Sequence, residues 1–201
     1  MKLFEIFRGI LTEIGNTSRD LRWKKLDSTT EYATFSSETQ TFAIYISDID
    51  LHKFTLPDTL EQYRNLKVLN IVFGVVNKDG QVELALTKQN KPFLPLSVVK
   101  NAILHRSSHV KADIVVFAAK SEHETREDFE KRSGLYSTLV SAYAKQGNFS
   151  FKRYKDKSGT YFVLIKYEIT QQLTKKQHRA IQSYIVDKLT VVDKLKQIVG
   201  K

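Results

Sequence analysis

From Asp113 the chain reads Ile114-Val115-Val116-Phe117-Ala118-Ala119 before Lys120, an apolar run of strand length with no polar alternation. Successive strand side chains point to opposite faces, so such a run belongs to a strand covered on both sides, and it predicts the parallel member of a central sheet. The next segment fits that placement. A helix expected from roughly Glu124 to Gln146 carries Phe129, Tyr136, Leu139, Val140 and Tyr143 on one stripe, and Gly147-Asn148-Phe149 returns the chain to a strand.

The rest of the chain supplies partners for this strand. Tyr32 to Phe35 and then Phe42, Ile44 and Ile46 predict an antiparallel hairpin turning over Ser36 to Gln40. Leu56-Pro57-Asp58 opens one or two helical turns, and Leu66 to Val76 is a long strand. Asn77-Lys78-Asp79-Gly80 then turns the chain into Val82 to Leu86. Pro92 and Pro95 fall in an exit loop, after which Leu96, Val99 and Ile103 mark a helix ending near Ser107-Ser108. Phe149 to Tyr154 and Thr160 to Ile169 form a closing hairpin. Thr174-Lys175-Lys176-Gln177 is a capping box opening a last helix, with Ile181, Ile185, Val192, Leu195 and Val199 on its apolar side. The expected fold class is α/β of the α+β kind: a mixed, mostly antiparallel central sheet flanked by helices. An amphipathic helix on Leu3, Phe4, Phe7, Ile10, Leu11 and Ile14 precedes it. The expected division is a helical segment over 1–20, a domain over 21–170 and a helical appendage over 171–201.

Composition removes several kinds of chemistry. The 201 residues include no cysteine, which excludes disulfides, thiol catalysis and thiolate metal sites. No window approaches the roughly 18 apolar residues of a membrane span, and the amino terminus has charges inside its apolar region, so a soluble protein is expected. Thirty-two Lys plus Arg against 22 Asp plus Glu leave a formal charge of +10, which favours a polyanionic partner. No phosphate-binding P-loop, dinucleotide fingerprint or serine-histidine-acid arrangement is present.

The order of antiparallel strands, helix, buried strand, helix and closing hairpin resembles the GNAT superfamily of acyl-CoA-dependent N-acetyltransferases over about residues 30 to 170. The pair Leu135-Tyr136 before Gly147-Asn148-Phe149 stands where that family carries a Leu-Tyr or Phe-Tyr pair before a glycine-aromatic re-entry. Phe117-Ala118-Ala119-Lys120 and Arg132-Ser133-Gly134-Leu135-Tyr136 also resemble segments of tailed-phage and large-virus proteins. The resemblance implies acetyl-CoA as cofactor and Tyr136 as the general acid that protonates the leaving thiolate. The family's glycine-bearing phosphate loop falls here on Thr87-Lys88-Gln89-Asn90-Lys91-Pro92-Phe93-Leu94-Pro95-Leu96, which has no glycine and two prolines. Lys88 and Lys91 are its remaining phosphate contacts as point charges, and each proline deletes a backbone donor. Glu31, Glu83 and Glu122 are candidate bases by type alone.

Two binding readings stand beside this one. Lys152, Arg153, Tyr154, Lys155 and Lys157 interleave cations with an aromatic ring, as single-strand binders do, while Phe149 and Phe151 alternate as core residues. His105 and His109 lie before the buried strand and His123 after it, about 20 Å apart across it, so no metal site is expected. Met1 through Glu13 resembles the head-targeting peptides of T-even-like phages, with Leu11-Thr12-Glu13 matching their cleavage site. The function expected is that of a phage-type accessory or virion-associated protein, in host cytoplasm or virion head, on a GNAT-like scaffold without the cofactor loop. The alternatives are an active N-acetyltransferase and a basic nucleic-acid-binding module. Expected partners are another chain through the last helix, a second copy, or DNA or RNA, and no membrane.

Overall fold

The computed structural model describes residues 21–37, 40–53, 55–76, 82–83, 93–119, 137, 140–156 and 159–188. They build a mixed, mostly antiparallel sheet with helices on both faces. Its strands are β1 (Lys24–Lys25), β2 (Thr30–Ser37), β3 (Gln40–Ile49), β4 (Val68–Val76), β5 (Val82–Glu83), β6 (Ile114–Ala119), β7 (Phe149–Asp156) and β8 (Gly159–Lys166). The helices are α1 (Phe93–Val110), α2 (residues 140–147), α3 (Tyr167–Gln172) and α4 (Lys175–Lys188), with 3₁₀ turns at Leu51–Lys53 and Asp58–Tyr63. The spatial order is β1-β2-β3-β4-β6-β8-β7, with β5 beside β4.

The single parallel pairing among the described strands joins β4 to β6, and α1 lies between them in sequence, as a parallel connection requires. Val115 and Phe117 of β6 enter one apolar cluster and Ile114 and Val116 the other, which is why its sequence does not alternate. The first cluster packs Leu69, Ile71, Phe162 and Leu164 of the sheet against Val99 and Ile103 of α1 and Val140 and Tyr143 of α2. The second packs Val68, Val163 and Ile165 beneath Ile181 and Ile185 of α4 and Leu51, Leu56 and Leu60 of the 3₁₀ region. The β2–β3 hairpin is held by cross-strand ring pairs on both faces, Phe35 on Phe42 at 5.2 Å and Tyr32 on Tyr45 at 5.6 Å.

Several boundaries differ from those read in the sequence. α1 begins at Phe93, so Pro95 lies in its first turn, where a missing N–H leaves no helical bond unmade. It also runs past Ser107-Ser108, whose hydroxyls both donate back to the Leu104 carbonyl, at 3.2 and 2.8 Å, and so do not compete for the helix's N–H groups. The stop is Lys111, at φ 55°, with Ala112 N–H donating to Ser107 O and Lys111 N–H to Ser108 O. This is a Schellman closure built without glycine. β8 ends at Lys166 and not at Ile169, since Lys166 pairs with Phe149, the first residue of β7, and Ile165 with Ile114, the first of β6. Beyond Lys166 neither neighbour offers a ladder, and the chain turns into α3, fastened by a 2.6 Å hydroxyl bond between Ser150 and Thr170.

The capping box forms as expected: Gln177 N–H donates to Thr174 Oγ1 at 3.2 Å and Thr174 N–H to Gln177 Oε1 at 3.0 Å. Ile181 and Ile185 of the last helix are covered by the chain's own domain. Val192, Leu195 and Val199 lie outside the described residues, as do the helix expected over 3–14, the segment 84–92 and the first half of the helix expected from Glu124.

The Gly147-Asn148-Phe149 re-entry has a local cause. Asn148 takes the left-handed conformation at φ 57° that closes α2, and the Phe149 ring folds back over Gly147. A Cβ at Gly147 would meet that ring at 2.8 and 2.9 Å, while the ring itself is stacked on Tyr143 at 5.7 Å. Gly147→Ala should therefore destabilise the fold by about 1–2 kcal/mol in urea unfolding, even though alanine is the better helix former.

Candidate functional site

Where parallel strands of an open sheet part, the crevice beyond their carboxyl ends is the usual ligand position. Here β4 and β6 pair from Val68 with Ile114 to Ile71 with Phe117. Above that point β4 runs on to Val76 and β6 to Ala119 without pairing each other. The freed edge of β4 is taken up at its far end, where Val75 pairs with Glu83 and Val76 with Val82, while Val75 also pairs with Phe42 of β3 on its other side. β5 thus occupies the side of β4 that β6 occupies lower down.

Around this crevice, the candidate residues separate. Tyr136, Lys88, Lys91 and Glu122 lie outside the described residues. Glu83 stands on β5, in register with Val75. Glu31 is on β2 and forms an ion pair of 3.2 Å with Arg106 of α1. Asp48 belongs to the same charged group: burial pushes its carboxyl up, and the Arg106 charge pulls it down less strongly. At the amino ends of β4 and β6, Asp113 accepts from the Lys67 N–H at 2.9 Å and from the Lys166 ammonium at 3.0 Å. Asp113 ties the ends of β4, β6 and β8 together, and Glu31 ties β2 to α1.

The tyrosine of this helix that the structure does describe is Tyr143. It is buried between α1, β6 and β7, edge-on to Phe117 at 6.1 Å, and its hydroxyl donates to Ser107 Oγ at 2.8 Å. Burial pushes its phenol up to about 12, with the Ser107 bond opposing in part. A phenol so placed packs and bonds locally.

The second candidate region is the β7 rim. β7 is the last strand of the sheet, paired with β8 along its length. Phe149 and Phe151 pack against the first cluster and Tyr154 against the second, so the ring offered for stacking on a base is engaged in packing under α4. Lys152 and Arg153 are exposed, Lys155 continues the strand opposite Thr160, and Lys157 lies outside the described residues. Lys152 shares the face of β7 that Tyr154 turns toward the α4 cluster, and on α4 the buried His178 is held below its ordinary value first by burial and then by the Lys152 charge. Lys175, Lys176 and Arg179 are exposed on the same stretch of α4.

Sequence reasoning confined the cations to the β7 hairpin and did not join α4 to it. The signal was available as a sign asymmetry. Residues 149–188 hold nine Lys and Arg against three Asp and Glu, a net +6 of the chain's +10, whereas residues 21–148 hold 17 against 15.

Among the described residues no group of three or more His, Asp and Glu could hold a metal ion. His109 is exposed at the end of α1 and His123 lies outside the described residues. No described helix is long and apolar enough to cross a membrane. Set against known proteins, the chain matches no family model and no curated sequence.

Proposed function

We propose that this chain is a phage-type accessory or virion-associated protein, built on a GNAT-like scaffold and working by contact, not by acyl transfer. The strand order supports the scaffold: β2, β3 and β4 run antiparallel, β6 joins β4 in parallel through α1, and the closing hairpin inserts with β8 inside and β7 outermost. The observation that carries the reading is β5. In the acyltransferases of this superfamily the pantetheine arm of the coenzyme lies where two central strands splay apart. In this chain the backbone groups of β4 at Val75 and Val76 are engaged by Glu83 and Val82 at the far end of the corresponding opening.

The helix that follows points the same way. An anion at a helix start is held by free backbone N–H groups, and Pro95 removes one of them from the first turn of α1. The Leu11-Thr12-Glu13 site and the basic balance of the chain support the virion setting. Calorimetric titration with acetyl-CoA is the test. The expected result is no saturable heat, and a dissociation constant in the micromolar range would replace this reading with an active acyltransferase.

A further inference from the structure

We infer that the rim formed by β7 and the first half of α4 is a docking surface for the phosphate backbone of double-stranded DNA, with Lys152, Lys175, Lys176 and Arg179 as its contacts. This names a partner for the contact reading above and rests on it only for the idea that the chain acts by contact.

The charge is concentrated, not merely abundant. Residues 149–188 supply +6 of the +10, and Lys152 on the outermost strand shares a face of β7 with Tyr154, which packs on the cluster that holds Ile181 and Ile185 of α4. Lys175 and Arg179 are four residues apart on α4, about 6 Å along its axis, with Lys176 between them. All four cations are exposed, and no ion pair engages them among the described residues.

Two of these cations sit where helix stability argues against them. The positive end of the helix dipole favours Asp or Glu in the first turn, yet α4 opens on Lys175-Lys176 with no acidic residue there. A chain selecting only for a stable helix gains nothing from that choice. An anionic partner at this end makes sense of it, because the dipole and both ammonium groups then act on it together.

The rings decide which nucleic acid. Single-strand binders combine cations with aromatic faces on which bases stack. Phe149 and Phe151 are packed on the α1–α2 side and Tyr154 on the α4 side. What remains is a surface of point charges, which discriminates by charge density, and a duplex presents more charge per unit length than a single strand. The surface therefore reads phosphates without reading sequence.

Fluorescence anisotropy with a labelled mixed-sequence duplex of about 30 base pairs, at low and rising salt, tests this on the full chain. Four phosphate contacts predict a slope of about −3.6 in log affinity against log salt. The decisive comparison is K175E/K176E against K24E/K25E, which changes net charge equally on α4 and on β1 at the opposite edge of the sheet. The α4 reversal should weaken duplex binding by about 10-fold to 100-fold and flatten the salt slope by about 2, and the β1 reversal should stay within about 3-fold. Misfolding cannot mimic this result, since Glu at the start of α4 favours the helix and the thermal melts of both variants should be no lower than the parent's. Equal losses in the two variants, or no binding of the parent at low salt, would overturn the inference. So would tighter binding of a thymidine single strand of equal length, or displacement of the duplex by polyglutamate at matched charge. None of these outcomes bears on acetyl-CoA, whose titration tests the scaffold reading separately.

Discussion

Replacing Ile181 and Ile185 together by alanine should bring the domain to the edge of unfolding at 25 °C. Both side chains are buried, at 4% and 3% exposure, and they press on Val68, Ile114, Val163 and Ile165 from the face of the sheet that α1 and α2 do not cover. Each truncation alone costs about 2–5 kcal/mol through lost transfer energy and the cavity left behind. The two residues are one turn apart in one cluster, so their costs are not strictly additive. A combined loss of about 4–6 kcal/mol is still a large part of the 5–15 kcal/mol that holds a typical domain. Urea unfolding followed by circular dichroism should show the midpoint falling steeply with the slope unchanged. If the helix instead served a partner chain, the same variant would keep its unfolding midpoint and change its mass in light scattering. The hydrogen bond from the Tyr184 hydroxyl to the Thr55 carbonyl, at 3.0 Å, argues for the first outcome, because it ties the outer part of α4 to the 3₁₀ region of its own domain.

What could be read from the sequence was what local rules decide. The capping box at Thr174 and Gln177 is closed by groups three residues apart, and the missing alternation in β6 follows from cover on two faces. The β2–β3 hairpin follows from its own alternation, although its ladder runs on through Ser36, Ser37 and Gln40, residues read in the sequence as turn, with Ser36 opposite Thr41 and Ser37 opposite Gln40. Features set by distant segments did not show. β8 stops at Lys166 because β6 and β7 begin where they do, and α1 stops at a lysine whose left-handed backbone no composition rule flags. The position of β5 beside Val75 depends on where β6 leaves β4. For the candidate site the same division holds. The cations of β7 were legible as a run, but their union with α4 needs a chain reversal through α3 that lays Ile181 and Ile185 on the cluster against which Tyr154 of β7 packs.

Tyr143 shows how a residue of catalytic type is spent on structure, and two substitutions at it should separate its ring from its hydroxyl. Its ring fills the space between Phe117 and Phe149, and its hydroxyl bridges α2 to Ser107 of α1. Tyr143→Ala removes both and should cost about 3–5 kcal/mol, as aromatic truncations in a core do. Tyr143→Phe keeps the ring and should cost only about 1 kcal/mol, because Ser107 still donates to the Leu104 carbonyl and is not left without a partner. The two variants also differ from the parent in alkaline solution. A phenol pushed up to about 12 by burial stays protonated in the fold while the unfolded chain ionises near 10. Its contribution is therefore complete below about pH 10 and is lost as pH rises from there toward 12, by roughly 2–3 kcal/mol in all. Burial also pushes the Tyr45 and Tyr184 phenols up, so the parent's stability falls in that range for more than one reason. The difference between parent and Tyr143→Phe isolates the one group: about 1 kcal/mol at neutral pH, shrinking and then changing sign as the solution passes pH 11. A difference that stays constant from pH 7 to 12 would mean that the hydroxyl titrates freely and is not held in the core.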